Sequence, residues 1–569
     1  MKNAIVKNIW TETNNTAFFP LLLILVLVAI VYSRILNGFF QHDEWQTFAL
    51  MYAQGDRGVV DIISKSFSPQ VSHYSPLSDL VFNFLFYLFG LKYLGYIAVS
   101  LSLHLISTFL VFILTNRLTR NSWIAALSTL LFGLNVSSYQ ATSWVIANIN
   151  TQGATIFGLL SVLVLVSVWQ SEKKVIKGLS LSLILLFVSL LFKEIAIAFF
   201  VFLPLSFLLF ANKEMKKYKK VYFSIVLALG TLYLILRLYM LMLPTSDSEY
   251  VVTKDQKLGE ILYNTVTFPA KIFAQSVIPT WQLLSVSKFS ASLLPESISG
   301  QEGTTARGQF VENVVLLGVD FLIFIFGLII VLLYLKRRRQ EPLVKVVLLS
   351  FAFVILNSFI YALSPGRSGS IPVVDSRNVY LPAVGTSIFL ATLTYMIMRQ
   401  RVLIAILLFT PLIFSHVYWL NEQLASSVGV GAVRKSILQQ VKREHPDLPE
   451  KVVFYVESDA PYYGMSVNIP PFETGLGQAL LVWYYSTEKF PRVFFEDKFL
   501  RFITDQGYRE ENGRGFGYFR DWSSFIKAVK ENHLEKNSII AFSYDSKTKS
   551  VTDISIKTRD QLELNKGNQ

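Results

Sequence analysis

The chain has no cysteine, only six histidines and only 16% charged residues. The missing cysteines exclude disulfides, thiolate zinc sites and a thiol nucleophile. The scarcity of charge, set against 52% hydrophobic and 14% aromatic residues, excludes a soluble chain of 569 residues, because one apolar core stops growing well below that length. A mean hydropathy of +0.45 points the same way. What is present is a series of long apolar runs punctuated by short basic clusters. The formal net charge is +13, from 52 Lys and Arg against 39 acids. That excess sits between apolar runs rather than along one face, the pattern of a polytopic α-helical membrane protein and not of a nucleic-acid binder.

Residues 1–16 are polar and carry Lys2 and Lys7. The run 17–35 follows, long enough at about 1.5 Å per residue to cross a hydrocarbon core of roughly 30 Å. No A-x-A cleavage pattern follows it, so it is expected to be a retained helix with a cytoplasmic N-terminus. Further runs at 93–114, 123–136, 151–169, 179–192, 195–210, 221–243, 313–335, 344–363, 379–398 and 402–420 bring the expected number of spans to about eleven. Their basic ends (Arg117 and Arg120, Lys173 to Lys177, Lys213 to Lys220, Lys336 to Arg339, Arg399 and Arg401) all count to the same side. Residues 1–420 therefore read as one membrane domain, with outer loops at 37–91 and 244–312. Within those loops, 59–67 and the proline-broken 261–284 are expected to lie in the interface. Residues 421–569 read as an extracytoplasmic α/β domain, with strands at 452–456, 492–495, 539–544 and 551–556 and helices at 431–444, 477–485 and 522–531. The expected setting is the plasma or inner membrane of a prokaryote.

Chemistry is expected at the outer ends of the spans. Asp43 and Glu44 stand just beyond the first apolar run, where acids are costly unless hydrated or used. His73, the pair Lys193-Glu194 and Arg377 fall on the same side. A carboxylate facing cations at a membrane surface suits transfer of a group from an anionic lipid carrier. The cations hold the leaving phosphate, Arg by fork geometry and Lys as a point charge, while the carboxylate takes a proton from the incoming hydroxyl. No cofactor is assigned. His42 beside Asp43 could tune it, and the adjacent carboxylates of Asp43 and Glu44 could share Mg²⁺ or Mn²⁺, but no further oxygen ligands emerge by spacing. Plainer readings compete at each position. Asp43-Glu44 could end a helix, Lys193-Glu194 could be an ion pair in a helical hairpin, and Arg377 could anchor a span. His42 and His73 could be loop residues, and His104 a hydrogen-bonded core residue. Trp45, Trp144 and Trp281 are expected in the interfacial aromatic belt.

Together, several motifs resemble the GT-C glycosyltransferases, and above all the membrane domain of the protein O-mannosyltransferases, including those fused to tetratricopeptide repeats. They are the acidic pair after the first helix, Tyr74-Ser75-Pro76-Leu77 in the first outer loop, the run from Gly90 to Tyr96 leading to His104, Lys193-Glu194, and Arg377-Asn378-Val379-Tyr380-Leu381-Pro382. The resemblance covers residues 17–420. It implies a GT-C-like helix arrangement, a polyprenyl-phosphate-linked sugar donor, inverting transfer to a hydroxyl-bearing acceptor, and the first-loop acid as base. Asp43 matches that acid, with Glu44 as alternative or helper, and Arg377 and Lys193 would contact the donor phosphate. Tyr74, Glu194, Tyr380, His104, His42 and His73 would support the site. Ser75 departs from the Arg that related sequences often carry there, and residues 421–569 show no tetratricopeptide period. Two rival classes remain: an envelope polysaccharide polymerase or ligase, which would use the arginines and histidines of 244–312 and 364–378, and a transporter or lipid flippase, which would place charge near the bilayer midplane.

Overall fold

The computed structural model describes residues 15–567, apart from 42, 55–57, 69–73, 172–174, 243–257, 294–313, 339–340, 364–372, 399–401, 461–469, 473–474 and 489. The expectations at His42 and His73 lie outside the described residues.

Helices dominate: α1 (Asn15–Tyr32), α2 (Asp43–Gln54), α3 (Pro76–Phe89), α4 (Tyr93–Thr119), α5 (Ser122–Gly133), α6 (Val145–Ser171), α7 (Val175–Phe192), α8 (Phe199–Phe210), α9 (Lys219–Met242), α10 (Leu258–Val277), α11 (Leu316–Arg338), α12 (Pro342–Phe359), α13 (Ser376–Ile397) and α14 (Val402–Glu444). Among the described residues, eight helices are long and apolar enough to cross a bilayer, and each coincides with an expected span. The other three expected spans correspond to the shorter apolar helices Ser122–Gly133 and Glu194–Phe210 and to the first part of α14.

Local chemistry sets the boundaries. Arg120, at φ 53°, turns the chain out of α4, and the Asn121 side chain then accepts from the Trp123 and Ile124 N–H groups to cap α5. In α13, Pro382 cannot donate to the Asn378 carbonyl, and the Tyr361 hydroxyl takes that acceptor at 3.2 Å. The basic turns gather at one end of the bundle. There Gln170 Nε2 donates to the Arg117 carbonyl (2.9 Å), Asn212 Nδ2 to that of Trp169 (3.0 Å) and Lys345 Nζ to that of Leu209 (3.3 Å).

Two expectations about the helices need correction. The stretch 261–284, expected in the interface, contributes α10, whose residues from Thr267 to Ser276 are buried among α11, α12 and α13. Its polar residues are satisfied inside the protein: Gln275 Nε2 donates to Asp320 Oδ2 at 3.2 Å. Residues 431–444 are not a separate helix either, since α14 runs unbroken through residue 421 to Glu444.

Beyond Glu444 the chain forms a five-stranded sheet in the order β2-β3-β1-β4-β5. Its strands are β1 (Lys451–Ser458), β2 (Gly507–Glu511), β3 (Arg514–Phe519), β4 (Ile539–Asp545) and β5 (Ser550–Asp553), flanked by α15 (Leu476–Glu488), α16 (Asp497–Asp505), α17 (Trp522–Glu531) and α18 (Ser555–Gly567). β1 lies parallel between β3 and β4, and the edge strands run antiparallel. Residues 492–495 form a 3-10 turn, not a strand, because Pro491 fixes its entry and its carbonyl accepts from Phe494 N at 3.0 Å. The expected strand 551–556 stops at Asp553, whose carboxylate accepts from Ser555 N at 2.7 Å and starts α18. The hairpin β2–β3 was not expected. It turns on Asn512 and Gly513, both at positive φ (52° and 79°), as two-residue hairpin turns require.

One face of the sheet is continuous with the aromatic packing around α2. The Tyr52 and Tyr485 rings stack with centroids 3.9 Å apart, and Trp45 and Trp483 lie 6.4 Å apart. The α/β unit is thereby docked on the end of the bundle opposite the basic turns.

Candidate active site at one end of the helix bundle

The acidic stretch leaves α1 through a short 3-10 turn, Ser33–Asn37, and folds back under Phe39 and Phe40. Gly38 is needed there, since a Cβ would fall 2.8 Å from the Tyr93 hydroxyl. Asp43 and Glu44 occupy the first turn of α2, where the helix dipole favours acids. Glu44 is fully buried, and its Oε2 accepts from Gln41 N at 3.2 Å, the reach-back half of a capping box. Asp43 is only partly buried, and its carbonyl accepts from the Thr47 hydroxyl at 3.0 Å.

The segment from Gln140 to Gln152, a short helical turn (Gln140–Ser143) and the first two turns of α6, ties the separate motifs together. Gln41 Nε2 donates to the Ser143 carbonyl at 3.2 Å, joining it to the acidic loop. The Gln140 N–H donates to Ser376 Oγ at 2.9 Å, and the Arg377 guanidinium lies 4.3 Å from the Trp144 ring centroid, joining it to α13. Lys193 Nζ donates to Thr151 Oγ1 at 2.8 Å, joining it to the end of α7. The acidic loop, through Gln41, and the side chains of Lys193 and Arg377 thus each contact the same segment.

Glu194 faces a neighbouring corner, where its Oε1 accepts from Tyr74 N at 3.2 Å and lies 3.6 Å from Arg237 Nη2. Arg377 is flanked by Asp375, with Nη2 3.6 Å from Oδ2. His104 and Tyr380 lie deeper, between α4, α5 and α13. His104 Nε2 lies 3.1 Å from the Gly133 carbonyl, which can only accept, so Nδ1 accepts the Tyr380 hydroxyl proton at 2.8 Å. That pair pins three helices together below the segment that the acidic loop and the cations contact.

Several site residues escaped the sequence reading. Gln140, Ser143, Asn148 and Gln152 line the segment, and Asn148 and Gln152 are fully buried polar residues on successive turns of α6. Their signal was available as four polar residues among the five from Asn148 to Gln152, opening an apolar span with only Ile149 between them. Arg237, in the middle of an apolar run, was another. Two tryptophans also depart from the expected aromatic belt. Trp45 is fully buried among Phe39, Phe40, Phe48 and Trp483, and Trp144 lies under Arg377, because the chain doubles back over the bundle end and covers both. Trp281 stacks on Trp419. Among the described residues no group of three His, Asp or Glu side chains stands together to hold a metal ion.

The fold is similar to that of ArnT from Cupriavidus metallidurans in its crystal structure bound to undecaprenyl phosphate, with a TM-score of 0.42, 9% identity and 94% of each chain covered. It is similar also to the apo state of that protein, at a TM-score of 0.36 and 14% identity over 94% of each chain. No protein-family model and no curated protein matches the chain. The likeness is of that modest degree, and the functional reading rests on the site itself.

Proposed function

We propose that the chain is a membrane glycosyltransferase that moves a sugar from a polyprenyl-phosphate carrier to a hydroxyl of a protein, lipid or envelope glycan. The observation that carries this reading is the convergence of the acidic loop, Lys193 and Arg377 on the one segment 140–152. An acidic loop and two cations anchored on one segment from three distant stretches supply the parts that glycosyl transfer from a lipid phosphate needs. The motif order that resembles the GT-C enzymes supports the same assignment.

In this reading the acceptor oxygen attacks the anomeric carbon from the face opposite the carrier, so configuration inverts. Asp43 takes the hydroxyl proton as the new C–O bond forms. The bond from the anomeric carbon to the phosphate oxygen breaks, and the phosphate leaves with the electron pair, its charge held by Arg377 and Lys193. Asp43 suits the base better than Glu44, because Glu44 is buried and engaged with Gln41 N, whereas Asp43 stands on the more open side of the turn. Charge at the far end of the bundle supports the orientation. The basic turns collect there, which supports a cytoplasmic N-terminus with the site and the α/β unit on the outer face.

The test is transfer of radiolabelled sugar by the purified protein from a panel of synthetic polyprenyl-phosphate sugars. Product from at least one donor, with anomeric configuration opposite to that of the donor, is expected. No product from any donor would refute the reading.

A further inference from the structure

The segment 140–152 and the start of α13 hold a set of polar atoms that the fold leaves unanswered. Gln140 Oε1, Ser143 Oγ, both amide atoms of Asn148, Gln152 Oε1 and Asn378 Nδ2 are buried and have no hydrogen-bond partner. Asn148 is 1% exposed and Gln152 0%. Buried polar groups are nearly always paired, and leaving one unpaired is destabilising, so several on two joined segments mark a place where something else binds.

Their chemistry narrows what that is. Gln140 Oε1, Asn148 Oδ1 and Gln152 Oε1 accept, Asn148 Nδ2 and Asn378 Nδ2 donate, and Ser143 Oγ does both. An anion would use only the donors and a cation only the acceptors. Hydroxyl groups donate and accept at once and satisfy both halves. None of these side chains carries a charge, and the two cations bordering the segment, Lys193 on Thr151 and Arg377 on Trp144, stand where the carrier phosphate is assigned.

We infer that these amides and hydroxyls form the sugar subsite and that it takes an uncharged, polyhydroxylated sugar, excluding uronic acids and amino sugars. This inference rests on the glycosyltransferase reading above. A charged substituent entering such a set would leave either its own charge or the opposing amides unpaired, and sites built to hydrogen-bond a ligand discriminate strongly on that basis.

The experiment compares binding and transfer of three carriers, a neutral hexosyl, an aminohexosyl and a hexuronosyl polyprenyl phosphate, alongside the unglycosylated polyprenyl phosphate. Wild type is expected to use the neutral donor with KM roughly tenfold or more below that of either charged one. The nearly isosteric Asn148→Asp is expected to raise the neutral donor's KM about tenfold, to narrow the gap to the aminohexosyl donor, and to bind the unglycosylated carrier as wild type does. Gln152→Leu, read in parallel, is expected to raise KM for the neutral donor without altering binding of the bare carrier. Wild type preferring a charged sugar, or both variants retaining the wild-type KM and preference, would overturn the subsite while leaving the glycosyltransferase reading intact. Failure of wild type to bind any carrier, bare or glycosylated, would overturn both.

Discussion

Asp43 and Glu44 are neighbours in sequence held in different surroundings, and the account gives them different work. Glu44, buried and bonded to Gln41 N, shapes the loop. Glu44→Ala should cost about 1 kcal/mol of stability, as loss of a capping interaction does, and lower the thermal midpoint in detergent. Arg377 lies over Trp144, so Arg377→Lys keeps the charge but loses the fork and the flat contact with the ring. It should raise the donor KM by roughly tenfold, and an unchanged KM would remove Arg377 from the phosphate site. The acids, Lys193 and Arg377 were legible as residues because ionisable groups at the ends of apolar runs stand out. Asn148 and Gln152 showed only as part of a polar cluster opening a span, since uncharged amides on a helix give no sign of whether they face water, a neighbouring helix or a ligand.

At the scale of elements, two long-range contacts hold the site's parts in register. α14 passes so close to the acidic loop that a Cβ on Gly431 would stand 2.9 Å from Phe39 N. Gly431→Val should therefore displace the loop and cut transfer more than it cuts folded yield, as measured by specific activity against the yield of monodisperse protein. On the other side, Gln275 Oε1 accepts from Val374 N at 3.0 Å while Gln275 Nε2 donates to Asp320, which fixes the backbone just before Arg377. Gln275→Leu leaves the buried Val374 N–H unpaired, a penalty of about 1–3 kcal/mol that the chain can relieve only by moving. The donor KM should rise while α10 remains folded, which far-UV circular dichroism and the donor titration would show together. The spans themselves were readable from apolar length, and α10 was not. Its prolines and polar residues looked like those of an interfacial segment because the sequence does not disclose that Asp320, on α11, awaits Gln275.

For the whole molecule, the α/β unit braces the site from outside, because α15 packs on α2, the helix that begins with the two acids. Burial, and then the neighbouring Tyr485, push the Tyr52 phenol up to about 12. Its folded value is raised above the ordinary value of 10.0, so its contribution is complete below pH 10 and is lost as pH rises through about 12. Docking of the α/β unit should loosen over that window, seen as a change in tryptophan emission from Trp45 and Trp483, and Tyr52→Phe should remove the part of the change due to this group. The composition of residues 421–569 was enough to foresee an α/β unit. Its attachment through one unbroken α14 was not foreseeable, since nothing in the sequence at residue 421 marks where membrane helix becomes surface helix. The central claim, that the acidic loop supplies the base for transfer from a lipid phosphate, is tested most directly by comparing sugar transfer from the accepted donor by wild type and by Asp43→Asn at equal folded yield. The account predicts a loss of roughly 10²-fold or more in kcat with donor binding retained; an Asp43→Asn variant that turns over like wild type would contradict it.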